Sequence, residues 1–323
     1  MTTPRPQPYT GHRLDRQRRV GERWSERPGR VEVWRSGAED DVYYHYNELG
    51  FRGPSFHPNA KWTAFVFGES DAFGADVRFD EIWAVRAARE VARRRGLRPD
   101  EICIQNFADE GASNAHIARM VLTQCGRVRP DLVLVNFAPE YRVEGLAGGE
   151  TFAAGPWVAS DEVEKAVEDA DGDDALRARM RERLERGRAF LEFTDKRQSL
   201  LDDARDMLLV QNTLASWRID AVAVARHLKA LTRQRTTEDA ILGPLIAQLD
   251  PRFLVRFRPT KLRWTNDWSP DGLHYGPQTH AAVAQRVVQH LEAHLSHTCR
   301  PTGDEASQRT LEPAARYANA KRA

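Results

Sequence analysis

The largely apolar run Thr63-Ala-Phe-Val-Phe67 is followed at once by the glycine-flanked segment Gly68-Glu-Ser-Asp-Ala-Phe-Gly74. A short apolar run that ends at a glycine is typical of a strand buried on both faces of a parallel sheet. A residue that directly follows such a strand lies at the carboxyl edge of the sheet, where ligands bind in doubly wound folds. We therefore expect the Ser70 hydroxyl at this edge, unless Ser70 serves only as a helix cap, which serine does well.

Strand and helix patterns alternate downstream of this segment. Apolar runs predict strands over 101–105 and 130–136, and apolar residues at helical spacing predict helices over 79–95 and 112–125. This alternation predicts an α/β fold, namely a three-layer, doubly wound and mostly parallel sheet. A weaker signal favours a further strand over 219–224, and Pro277 precedes a closing helix predicted over 279–294.

The regular pattern suggests one main domain with irregular ends. Residues 1–30 are rich in Pro and Arg without a steady period, which predicts a flexible arm, and 301–323 are predicted to be a disordered tail. The domain is expected over 31–300. Residues 145–162 are typical of a loop, and the charged, mostly helical stretch from about 155 to 260 is interpreted as an insertion.

Composition excludes several function classes. The 48 Lys+Arg nearly balance 47 Asp+Glu in 323 residues, for a net charge of +1, so no global field favours nucleic acid. No apolar stretch is long enough for a membrane span, and no apolar segment follows the basic N-terminus, so we expect a cytoplasmic protein. Three cysteines without a CxxC motif argue against a zinc site, and the histidines near the C-terminus are interpreted as a solvated helix face rather than metal ligands.

A possible acid and base precede the closing helix in Asp271-Gly-Leu-His274. A serine nucleophile needs a base, and the base needs a carboxylate that orients it and stabilises its cation. An Asp-x-x-His sequence is common by chance in surface loops. Its combination with a glycine-flanked serine after the first strand is uncommon, and this combination favours a catalytic triad of Ser70, Asp271 and His274.

At these residues the sequence resembles the SGNH (GDSL-like) hydrolases. Gly68–Gly74 is similar to the family's Gly-Asp-Ser-x-x-x-Gly block with Glu69 in place of Asp, and Asn106–Asn114 resembles the block whose glycine, here Gly111, donates a backbone N–H to the oxyanion. Asp271–His274 resembles the block that carries acid and base. The lead-in Asn47-Glu-Leu-Gly-Phe-Arg-Gly53 is similar to a segment of some bacterial members, and the resemblance covers about 45–145 and 262–295.

The third family block departs from its pattern. The position of the asparagine that donates to the oxyanion falls on Glu140, and an ionised carboxylate cannot donate a hydrogen bond. Removal of one such donor typically costs about 10²–10³ in rate. Three interpretations remain open: Asn136 or Arg142 supplies the donor, Glu140 is protonated or turned away, or the site is weak or repurposed.

The resemblance implies an esterase that forms an acyl-enzyme on Ser70, with the N–H groups of Ser70 and Gly111 binding the oxyanion. The implied partner is an acylated small-molecule substrate, and no cofactor or metal is needed. An acyltransferase of the same fold and a non-catalytic SGNH-like binding module are the alternatives. The sequence carries no signal for an oligomeric state.

Overall fold

The computed structural model describes residues 31–34, 42–139, 142–147, 150–155, 174–193, 196–225, 239–255, 267, 269 and 274–295. The predicted N-terminal arm and C-terminal tail lie outside these residues. The helices are α1 (Ser70–Phe73), α2 (Trp83–Arg94), α3 (Asn114–Arg127), α4 (Asp174–Phe193), α5 (Lys196–Ser216), α6 (Leu242–Ile246) and α7 (Pro277–Leu295). The strands are β1 (Val31–Trp34), β2 (Val42–His45), β3 (Trp62–Gly68), β4 (Ile102–Asn106), β5 (Leu132–Phe137), β6 (Val143–Ala147), β7 (Glu150–Ala154), β8 (Asp220–Ala225) and β9 (Leu254–Val255).

Five of these strands form a parallel sheet in the order β4-β3-β5-β8-β9. The chain runs from β3 outward to β4 and then crosses to β5 on the opposite side of β3. This reversal makes the gap between the carboxyl ends of β3 and β5 the topological switch point of the sheet, where doubly wound folds bind their ligands. The order of the described strands therefore indicates where a candidate binding site lies before any side chain is considered.

Side chains of the central strands alternate between two apolar layers. Ala64 and Val66 of β3 face the layer that contains α2 and α7, whereas Phe65 and Phe67 face the layer that contains α3 and α5. The side chains of β5 alternate in the same way. Because both faces of these strands are covered, nearly every residue in their sequences is apolar. The predicted three-layer α/β fold is confirmed.

The structure differs from the sequence prediction in the middle of the chain. Part of the predicted loop over 145–162 is an antiparallel hairpin of β6 and β7, in which Val143 pairs with Ala154. The stretch interpreted as a helical insertion contains α4 and α5. It also contains β8, which confirms the strand favoured over 219–224, and β9, which was not predicted; these are the fourth and fifth strands of the central sheet. Its helices are therefore partly crossover connections of the sheet, as parallel strands require.

The described helices include none that is long and apolar enough to cross a membrane.

A buried histidine joins the two helices of one layer. Nδ1 of His280, in the first turn of α7, accepts a hydrogen bond of 3.0 Å from the backbone N–H of Trp83, the first residue of α2. The first N–H groups of a helix have no partner within the helix, so His280 acts as its cap from another helix. Burial, with the nearby charges of Arg86 and Arg52, lowers the pKa of His280 to about 3.

This histidine is expected to make the protein lose stability in mild acid. The unfolded chain takes up a proton near the ordinary pKa of 6.5, whereas folded His280 stays neutral to about pH 3. The unfolded state then binds more protons, so the contribution of His280 is complete above pH 6.5 and declines as the pH falls toward 3, by up to about 1.4 kcal/mol per pH unit.

Urea unfolding at several pH values between 7.5 and 4.5 measures this effect against His280→Asn. The amide oxygen of asparagine can replace Nδ1 as the acceptor for Trp83 and does not titrate. The variant is expected to show a shallower decline in the free energy of unfolding below pH 6.5. Parallel profiles for the two proteins would show that His280 is not the titrating group.

Candidate active site

Ser70 lies at the switch point of the sheet. It is the first residue of α1, which begins directly after β3 ends and Glu69 caps it. Gly68, the last residue of β3, pairs in register with Asn136 of β5. Ser70 is therefore at the carboxyl edge that the sequence predicted. Its side chain is largely buried, with the residue 6% exposed.

The Ser70 hydroxyl hydrogen-bonds to its neighbour in the sequence. Ser70 Oγ donates to Glu69 Oε2 at 2.6 Å, and the backbone N–H of Asp71 donates to Glu69 Oε1 at 3.2 Å. The Glu69 side chain thus satisfies an N–H at the start of α1, as an N-cap does. Within the described part of the chain, the partner of the Ser70 hydroxyl is Glu69 and not His274.

Two further side chains donate hydrogen bonds to the buried Glu69 carboxylate. Asn136 Nδ2 donates to Glu69 Oε1 at 2.6 Å, and Arg142 Nη1 donates to Glu69 Oε2 at 3.3 Å. Glu69 is only 4% exposed, and a buried charge is costly unless it is paired and hydrogen-bonded. These donors hold the carboxylate beside the serine. They also assign a definite partner to Asn136 and Arg142, the two alternative oxyanion donors of the sequence prediction.

The second predicted block lies against α1. Asn106 Nδ2 donates to the carbonyl of Ala72 at 2.9 Å, and the backbone N–H of Asp109 donates to the carbonyl of Gly68 at 3.0 Å. Gly111 follows in a left-handed conformation with φ of 77°, which glycine adopts without steric cost. The loop that carries Gly111 is therefore tied to Gly68 and Ala72, on either side of Ser70.

The segment that carries His274 is held against the turn after α1. The backbone N–H of Ser269 donates to the carbonyl of His274 at 2.8 Å, and Ser269 Oγ donates to Asp76 Oδ2 at 3.4 Å. Asp76 lies six positions after Ser70. The structure thus brings the His274 segment to the same end of the sheet as Ser70. Asp271 and Glu140 lie outside the described residues, so their predicted roles stay predictions.

The start of α7 is anchored by an aspartate upstream of His274. Asp267 Oδ2 accepts a hydrogen bond from the Thr279 backbone N–H at 2.7 Å, and the Asp267 carbonyl accepts one from Gly276 at 2.9 Å. Asp267 therefore caps α7 across the loop. The loop that contains His274 is closed at its base by these bonds.

Arg52 in the lead-in segment clamps the turn that carries Ser70. Its guanidinium donates to the carbonyls of Phe73 at 3.1 Å, Val77 at 2.6 Å and Gly74, and lies over the Tyr44 ring at 3.9 Å from the centroid. The last carbonyls of a helix lack partners within it, so Arg52 satisfies those at the end of α1. Sequence analysis singled out the lead-in segment but not this function of Arg52, because the carbonyls are more than 20 positions away.

A second charged cluster anchors the β6–β7 hairpin to α3. Glu144 of β6 pairs with His116 at 3.3 Å and with Arg119. Burial disfavours ionisation of Glu144, but the hydrogen bonds from His116 and Arg119 outweigh it and lower its pKa to about 2. Glu144 is therefore ionised at neutral pH. This anchor lies two residues after Arg142 and holds the backbone from which Arg142 reaches Glu69.

No family model and no curated protein matches the sequence. Solved structures do resemble the fold. The psychrotrophic esterase EstA from Pseudoalteromonas sp., in a structure inhibited by monoethylphosphonate, is 9% identical, with 72% of this chain and 98% of that chain covered and a TM-score of 0.42. TesA is 12% identical, with 72% and 98% covered and a TM-score of 0.41. A member of the lipolytic protein G-D-S-L family from Veillonella parvula is 9% identical, with 71% and 97% covered and a TM-score of 0.37.

The fold class rests on the described sheet: a three-layer α/β domain with a largely buried serine at the switch point of five parallel strands.

Proposed function

We propose that this protein is a serine hydrolase that cleaves an ester of a carboxylic acid through an acyl-enzyme on Ser70. The observation that carries the proposal is the position of Ser70 after β3, at the switch point, with the His274 segment tied to the turn that follows α1. Ser70 and Gly111 then supply backbone N–H groups from two loops that are hydrogen-bonded to each other.

The reaction begins with a change in the partner of the serine. The Ser70 hydroxyl rotates about its Cα–Cβ bond from Glu69 to His274, a movement between two staggered rotamers. His274, oriented by Asp271, accepts the hydroxyl proton while Oγ attacks the carbonyl carbon of the ester. The oxygen of the tetrahedral intermediate is bound by the N–H groups of Ser70 and Gly111.

Collapse of the intermediate completes the first half of the reaction. The carbon–oxygen bond to the alcohol breaks, and the alcohol leaves with the proton from His274. Water then attacks the acyl-enzyme with His274 as its base, the acid is released, and the proton returns to Ser70. Side chains and backbone of this chain carry out these steps, and the proposed substrate is an acylated small molecule.

Covalent labelling with a fluorophosphonate tests the proposal, because this probe reacts with an activated serine. Purified protein is expected to be labelled, and mass spectrometry should locate the adduct on Ser70. Ser70→Ala should remain unlabelled at the same concentration, and Ser216→Ala, which removes an exposed serine at the end of α5, should be labelled like the original protein. A folded sample that takes up no probe would contradict the proposal and favour the binding-module alternative.

A further inference from the structure

Arg142 contacts the residues next to both proposed oxyanion donors. Its Nη1 lies 3.3 Å from Glu69 Oε2 and 3.5 Å from the carbonyl oxygen of Ala112. Glu69 directly precedes Ser70, and Ala112 directly follows Gly111. Because Ser70 and Gly111 carry the two proposed N–H donors, the guanidinium lies between the two loops that form the oxyanion site.

The Asn136 amide is engaged elsewhere in the same site. Its Nδ2 donates to Glu69 Oε1 at 2.6 Å, and Asn136 is only 2% exposed. Its Cβ lies in close contact with Gly68, because a Cβ added to Gly68 would approach it to 2.8 Å. Asn136 is therefore held by strand packing with its amide directed at Glu69, and its role is that of a positioning residue for this carboxylate.

We propose that Arg142 is the third oxyanion donor, an assignment that rests on the proposed ester hydrolysis. A guanidinium carries five N–H groups and remains charged at all relevant pH values, so it can keep its contact with Glu69 while another N–H binds the oxyanion. Its positive charge compensates the negative charge that develops on the carbonyl oxygen. In a site shielded from water this attraction is stronger than at the surface.

The fold holds Arg142 in position for this role. Its side chain is 16% exposed, and Glu144, two residues further along, is fixed by His116 and Arg119 of α3. Preorganised donors are effective because they need no reorganisation during the reaction. Glu69 completes the arrangement, since it holds the guanidinium beside the serine before substrate binds.

Kinetics with an activated aryl acetate test this assignment. Arg142→Gln is expected to lower kcat/KM by about 10²–10³-fold, mainly through kcat, because an oxyanion donor acts chiefly in the transition state. Arg142→Lys keeps a charge and a donor and is expected to lose less. Arg98→Gln removes an exposed arginine just before β4, at the amino ends of the strands and therefore away from the site. This variant should behave like the original protein.

A double variant separates an oxyanion donor from a residue that merely neutralises Glu69. In a Glu69→Gln background no carboxylate needs neutralising, so a purely structural arginine could be replaced without further loss. We expect Arg142→Gln to cost about 10²-fold in this background as well. Thermal unfolding of each variant shows whether it is folded at the assay temperature. If Arg142→Gln is not folded, Arg142→Lys takes its place in the comparison.

The outcomes separate this assignment from the proposed function. If the protein hydrolyses the ester and labels on Ser70, but Arg142→Gln stays within about threefold of its kcat/KM, Arg142 is not the donor and the proposed function stands. Loss of the Arg142 effect in the Glu69→Gln background would likewise overturn it. If the unmodified protein neither labels nor hydrolyses esters, the proposed function fails, and the Arg142 assignment fails with it.

Discussion

Ser70→Ala is expected to lower kcat/KM for an activated ester by at least about 10⁴-fold while the protein stays folded. The substitution removes the nucleophile, and only transition-state binding by the remaining groups is left. The fold is expected to survive because Glu69 keeps its bonds to Asn136, Arg142 and the Asp71 N–H. The lost hydrogen bond to a charged group is worth about 1.5–3 kcal/mol.

His274→Ala provides the partner experiment. If His274 is the base for Ser70, its loss should slow turnover about as much as loss of the serine, and the double variant should be little worse than either single one, because the residues act as a unit. Steady-state rates for the two single variants, the double variant and Ser216→Ala measure this. Independent, additive losses in the double variant would indicate that His274 does not act through Ser70.

Gly68→Ala is expected to destabilise the protein by about 3 kcal/mol or more. Gly68 has φ of 155°, and an added Cβ would lie 2.7 Å from Ala72 Cβ and 2.8 Å from both the Cβ and the carbonyl oxygen of Asn136. The Cβ and the carbonyl oxygen of Asn136 are fixed by the backbone of β5, so neither atom can rotate away. To relieve this overlap, α1 would have to move away from β5, which would separate Glu69 from Asn136. We therefore expect both stability and activity to fall.

Gly96→Ala is a matched control for this substitution. Gly96 also has a positive φ, 76°, but an added Cβ would meet nothing within 4 Å. The Gly96→Ala substitution therefore introduces backbone strain without steric overlap, and we expect it to lower the free energy of unfolding by about 1 kcal/mol. Urea unfolding of both variants compares the two. Equal losses would mean that the close contact between β3, α1 and Asn136 is not what requires glycine at position 68.

The main strands could be predicted because they are buried on both faces. Thr63–Phe67 and 130–136 are apolar runs, and β3 and β5 are found there because such runs have few other ways to bury their side chains. The β6–β7 hairpin was not predicted. Its strands are short, and the stretch 143–154 contains three glycines. β6 is anchored through Glu144 to α3, a contact between distant parts of the chain.

In the candidate site, too, some features follow from local sequence and others depend on the tertiary structure. The position of Ser70 at the sheet edge follows from one strand and the turn after it, so local sequence is sufficient. The pairing of Glu69 with Asn136 depends on β5 lying next to β3 rather than next to β4, which only the strand order determines. The Arg52 clamp depends on a lead-in segment that folds back onto the end of α1.

The sequence by itself determined the alternation of buried strands and amphipathic helices, and with it the α/β class and the serine at a carboxyl edge. These features follow from the period of apolar residues, which is local. Only the tertiary structure decided that the serine hydroxyl donates to Glu69, that Asn136 serves this carboxylate, and that Arg142 borders the same site. Such contacts join residues up to 73 positions apart. They exist because packing around the sheet excludes water, so a buried carboxylate must be hydrogen-bonded by the donors that the fold brings next to it.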